Sequence, residues 1–139
     1  MRRTILLAIT WVVILHVIVL LTHSIAHFGL GVLPPTILDY LFVGVVIAIL
    51  PIVALFMAYK PQLARWGALL LLLAMLGSLV YGLSYHFLIP GIDNVAHHGA
   101  EPWHSLFVIT SYALFVLEAA GVVVGAWGLL VKREVSVSR

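Results

Sequence analysis

The chain has 139 residues, of which 64% are hydrophobic and only 9% charged, and its mean hydropathy is +1.22. A soluble domain of this size cannot bury so much apolar surface, which excludes an ordinary water-soluble enzyme or binding module. The net charge is +2 with no cysteine, which excludes disulfides, thiolate metal sites and covalently attached c-type haem, and a basic nucleic-acid patch is excluded because the cations flank the apolar stretches instead of clustering.

The first apolar stretch runs from about Thr4 to Phe28, long enough for the roughly 20 residues a membrane-spanning helix needs. Met1-Arg2-Arg3 before it imitates a signal peptide. The apolar run exceeds a signal core of about 7–15 residues and lacks a small-residue cleavage site, so a retained helix is expected. It carries His16 and closes with His23 and His27; Gly29 and Gly31 follow as a stop signal. The second stretch, about Pro35 to Tyr59, opens at Pro34-Pro35, carries Asp39 near its start, and has Pro51 inside, where a kink is expected. Lys60-Pro61 ends it. The third, about Trp66 to Ile89, contains Gly77 and Gly82, places His86 about one turn before its end, and stops at Pro90-Gly91. A polar segment with Asp93, His97, His98 and Glu101 leads to the fourth stretch, about His104 to Val131. That helix carries Ser111 and Glu118, then Gly121 and Gly125 at the small-xxx-small spacing that lets helices approach closely, inside the bundle or on another subunit.

These elements predict an all-α integral membrane protein, residues 1–139 forming one four-transmembrane-helix up-down bundle. With four spans, Arg2, Arg3, Lys60, Arg65, Lys132, Arg133 and Arg139 all fall on one side. The positive-inside rule makes that side, with both termini, cytoplasmic. The connections at about 29–34 and 90–103 hold no Lys or Arg and are expected to be extracytoplasmic.

Six of the seven histidines gather at that outer end. His23 and His27 are spaced i, i+4, so both rings share one helix face. That spacing recurs in helix-borne zinc sites, although alone it is weak. His86 from the third helix and His104 from the fourth can join the same layer, and Asp39 can reach it from the second as a ligand or an orienting partner. His97 and His98 are adjacent and point apart, so at most one is expected to contribute. The bland alternative is an interfacial polar layer satisfied by water.

Imidazole and carboxylate ligands without sulfur suit Zn, Cu(II) or non-haem Fe. Haem b is the other option, with His23 or His27 opposite His86 as axial ligands and Gly77 and Gly82 opening a slot; a pigment held by one histidine is a third. A more deeply placed pair, His16 and Glu118, is expected near mid-membrane. Intramembrane ionisable residues are functional candidates, here either for a proton path or for a hydrogen bond that fixes helix packing.

The plan resembles small four-helix membrane subunits of respiratory or oxidase assemblies, a likeness of architecture that does not establish function. The histidine layer is what leads to the expectation of a bilayer-embedded subunit that binds a metal or haem for electron transfer or oxidation at the outer face, with other membrane subunits or a second copy as partners. The competing expectations are a cofactor-free scaffold subunit and a proton-coupled transporter using His16 and Glu118.

Overall fold

In the computed structural model, residues 1, 3–97, 99 and 101–130 are described. Arg2, His98, Val131, Lys132, Arg133 and Arg139 lie outside the described residues. Four helices are long and apolar enough to cross a membrane: α1 (Arg3–Leu30), α2 (Ile37–Ala58), α3 (Ala64–Leu88) and α4 (His104–Leu130). There is no strand among the described residues. Helices dominate because an apolar solvent offers no partner to a backbone N–H or C=O, and a helix satisfies both internally.

Local chemistry sets the helix ends. α1 runs to Leu30 and stops at Gly31, whose φ of 67° places it in the left-handed region. There the Val32 N–H donates to His27 O (3.0 Å) and the Gly31 N–H to Phe28 O (3.1 Å), the paired bonds of a Schellman C-cap. α2 starts at Ile37 rather than Pro35, because Thr36 and Asp39 form a reciprocal capping box at its N-terminus. Pro51 has no N–H to give, and just before it lies a π-helical stretch over Phe42–Ile49, where the ladder widens to bonds such as Leu50 N–H to Val45 O. A second π-helical turn, Ser84–Leu88, ends α3 and contains His86.

α4 packs along both α1 and α3, α3 also packs on α2, and of the neighbouring pairs α1 and α2 touch most sparsely. One end of the bundle is closed by Ile5, Ile9 and Val13 of α1, Ala54 and Ala58 of α2, and Leu71 and Met75 of α3. α4 lies tight against α3 there: a Cβ on Gly125 would stand 2.8 Å from the Leu72 backbone nitrogen, and one on Gly121 would strike Met75. The glycine face is therefore used inside the bundle. The histidines occupy the other end.

A three-histidine cluster with its ring protons assigned

His23, His27 and His86 bring a ring nitrogen each to within 4.8 Å of one another. His27 Nε2 is 3.0 Å from His23 Nε2, which is 3.2 Å from His86 Nε2. His23 and His86 are buried and His27 is half-buried. Phe107 of α4, fully buried, forms the floor: it stacks on His23 at 5.2 Å and meets His27 and His86 edge-on at 5.0 and 5.3 Å.

The opposite nitrogen of each ring decides what the cluster can do. His86 Nδ1 lies 2.9 Å from the main-chain carbonyl of Asp93, and His27 Nδ1 lies 3.3 Å from that of Val32. A carbonyl can only accept, so both Nδ1 atoms carry the proton. His23 Nδ1 lies 2.8 Å from Thr110 Oγ1. The single hydroxyl hydrogen of Thr110 is donated to main-chain carbonyls, Leu106 O at 2.7 Å and Phe107 O at 3.1 Å. With the hydrogen on those carbonyls, the Thr110 oxygen accepts from His23 Nδ1–H. In that tautomer of the neutral rings all three Nε2 atoms are bare lone pairs, and they face one another.

Three acceptors at such separations repel unless a cation lies between them. A proton on His23 Nε2 would serve one neighbour at a time, whereas a metal ion serves all three. Two imidazole nitrogens bound to one tetrahedral zinc at ~2.05 Å stand about 3.3 Å apart, close to the observed 3.0 and 3.2 Å. The local sequence builds this arrangement. Gly31 permits the turn that swings the Val32 carbonyl onto His27. The Pro90-Gly91 break returns the chain so that Asp93 faces His86, a return held by Val95 N–H to His86 O at 3.0 Å.

A carboxylate stands beside the cluster. Asp93 Oδ1 is 3.5 Å from His27 Nε2 and 3.3 Å from His86 Nδ1, and it is buried without a hydrogen bond. Beside the cluster lies a cavity of about 260 Å³, bordered by the three histidines, Asp93, Ser78, Ser111 and Glu118 and otherwise mainly by apolar side chains.

Other residues expected at the site stand elsewhere. The carboxylate of Asp39 takes the Thr36 N–H (3.1 Å) and hydroxyl (2.6 Å) through Oδ2 and the Tyr81 hydroxyl (3.1 Å) through Oδ1, so it caps α2 and is not in the group of three. His104 begins α4, its N–H bonded to Glu101 O at 3.0 Å, and it is outside the group of three; α4 brings Thr110 and Phe107 to the cluster. His97 is exposed in the loop and also outside the group, and His98 lies outside the described residues. Sequence reasoning missed Asp93, Thr110 and Phe107 as site residues. The Thr36-x-x-Asp39 pattern was a signal that Asp39 would be taken up as a cap, whereas nothing in the sequence marked Thr110.

The deeper pair does meet. His16 Nε2 is 3.6 Å from Glu118 Oε1 and both side chains are buried. That distance is beyond a hydrogen bond, and neither ring nitrogen of His16 makes one.

Fold and site together define a multi-pass helical membrane protein with a buried three-histidine cluster that can hold a metal ion. No family model, no characterised protein and no solved structure matches the chain.

Proposed function

We propose that this chain is a small membrane subunit that binds one divalent transition-metal ion through His23, His27 and His86 at its extracytoplasmic end. The carrying observation is the convergence of three Nε2 lone pairs whose Nδ1 partners are all fixed by acceptors, the arrangement that orients histidines in metal sites. Asp93 Oδ1, 3.5 Å from His27 Nε2 and 3.3 Å from His86 Nδ1, flanks the three donors without being one of their group. The ligand chemistry suits Zn(II), Cu(II) or Fe(II). An ion is favoured over haem b. Axial imidazoles on opposite sides of an iron at ~2 Å bonds need about 4 Å between their nitrogens, and His23 and His86 are 3.2 Å apart with His27 alongside.

The bundle runs up-down with both termini cytoplasmic, supported by the confinement of Lys and Arg to one side. With copper or iron the site serves electron transfer or oxidation at the outer face, in an assembly with other membrane subunits. A cofactor-free scaffold is less favoured, since Gly121 and Gly125 pack inside the bundle and offer no glycine face to a partner. A proton-coupled transporter rests on His16 and Glu118 alone.

Elemental analysis and an optical and paramagnetic-resonance spectrum of one purified sample test the proposal. One metal per chain is expected. Replacing His23 and His86 together by Ala should abolish it with membrane insertion unchanged. A metal-free preparation from metal-replete cells that also takes up no Zn, Cu or Co in vitro refutes it.

A further inference from the structure

The polar atoms around the cavity beside the cluster have a common character. The Ser78 hydroxyl donates to Ala74 O at 2.9 Å and the Ser111 hydroxyl to Phe107 O at 2.8 Å, so each turns only an oxygen lone pair outward. Tyr81 donates to Asp39 and likewise keeps only its oxygen as an acceptor. Glu118 adds a carboxylate oxygen. At Gly82 the missing side chain leaves a space flanked by both groups of interest: a Cβ there would be 3.7 Å from Glu118 Oε2 and 3.9 Å from His86 Cδ2. An apolar cavity furnished with acceptors is matched by an apolar ligand that brings an O–H donor.

Access is from the side. Phe28 and Leu33, at the outer end of α1 and just past it, and Tyr40 of α2 border the cavity and are 81%, 56% and 46% exposed. α1 and α2 are also the neighbouring helices that touch least. In a bilayer that rim meets lipid, so the visitor is membrane-dissolved. A volume of about 260 Å³ is just short of the usual range for a whole small-molecule ligand, about 300–1,000 Å³. It accommodates a head group while a tail stays in the membrane. Phe87 and Phe115 on the cavity wall favour a flat ring.

We propose that this cavity binds the hydroxylated ring of a lipid-soluble phenol, entering between α1 and α2, with its oxygen at the three-histidine metal and its O–H toward Glu118. The metal contact rests on the function proposed above; the cavity, its acceptors and its lipid-facing rim do not.

The test uses the full chain in lipid nanodiscs, loaded with Co²⁺ as a visible reporter and titrated with 4-hexylphenol. A saturable change in the cobalt bands is expected, with hexylbenzene at least tenfold weaker. Gly82→Val, which fills the space between Glu118 and His86, should weaken hexylphenol at least tenfold at unchanged cobalt content. Gly82→Ala, whose methyl makes ordinary contacts, should retain binding. Photolabelling of the wild-type chain by a diazirine-bearing hexylphenol locates the site without any variant, with labels expected on Phe28, Leu33 or Phe87.

If cobalt does not bind, the metal reading fails. Saturable uptake of radiolabelled hexylphenol above empty nanodiscs, with those same labels, then still upholds the cavity. Absence of saturable uptake, equal affinity for hexylbenzene, or labels confined to other surfaces overturns the phenol site.

Discussion

Thr110→Val separates a metal centre from a merely polar cluster, because it should weaken metal binding and leave the stability of the metal-free protein nearly unchanged. Valine keeps the shape and removes the oxygen that accepts from His23 Nδ1–H at 2.8 Å. In the metal-bound protein that proton then has no acceptor, and His23 loses the partner that holds its Nε2 toward the ion. Loss of such an outer partner typically weakens metal affinity about 10–100-fold, or about 1.4–2.7 kcal/mol. In the metal-free protein the result differs. Without Thr110 to hold it, His23 can move its proton to Nε2 and donate to a neighbouring imidazole nitrogen 3.0 or 3.2 Å away. One hydrogen bond of about 1 kcal/mol is exchanged for another, so apo stability should barely change. Competition against a chelator of known affinity measures the first quantity, and thermal unfolding in detergent the second. Thr110→Ser, which keeps the oxygen, should bind like wild type. A Thr110→Val protein with unweakened metal affinity would refute the assignment of the ring protons.

Gly31→Ala forces an L-residue into the left-handed region and should cost about 1–2 kcal/mol of stability; because the turn carries the Val32 carbonyl to His27, metal affinity should fall with it, measured in the same chelator assay. His104→Ala, His97→Ala and Asp39→Asn should each leave metal content at wild-type level by elemental analysis, and loss of metal in any of them would mean the ligand set has been misassigned. Gly125→Leu should prevent close packing of α4 on α3, destabilising the bundle by about 1–3 kcal/mol or more. Unfolding in a graded detergent mixture reads this, and an unaltered midpoint would contradict the close approach at Leu72.

The spans were legible because each is a long apolar run with Pro, Gly or charge at its ends, and lipid leaves the backbone few alternatives. The i, i+4 pair His23 and His27 was legible for the same reason: helical periodicity alone puts both rings on one face. His86 was legible in depth, since it sits near the outer end of its helix, yet not in direction. Its aim comes from the π-helical turn Ser84–Leu88 and the Asp93 carbonyl, both products of how the chain returns after Pro90. His104 shows the limit of depth as a guide. It begins its helix outside the group of three, while Phe107 and Thr110, further along α4, are buried against the cluster. Asp39 shows that a carboxylate near a helix start has two employments, and the threonine three residues before it engages it locally as a cap. Asp93 was invisible as a site residue because loop geometry, not periodicity, brings it in.

The bundle divides its work along its length. At one end the helices interlock through small residues and aliphatic side chains: Gly67 lies against the Ala54 and Ala58 backbone, Gly125 against Leu72, and Ile5, Ile9 and Leu71 are fully buried. At the other end α1 and α2 separate, two π-helical stretches replace regular turns, and imidazoles and acceptor oxygens line the gap. π-turns and unpaired polar groups are destabilising in lipid and persist where the rest of the fold holds them. The tight end supplies that hold, which is why substitutions at Gly125 should act on folding and substitutions at Thr110 on metal binding. If both sets altered metal affinity in proportion to stability, the two ends would be one cooperative core, and the histidines would be a packing feature instead of a site.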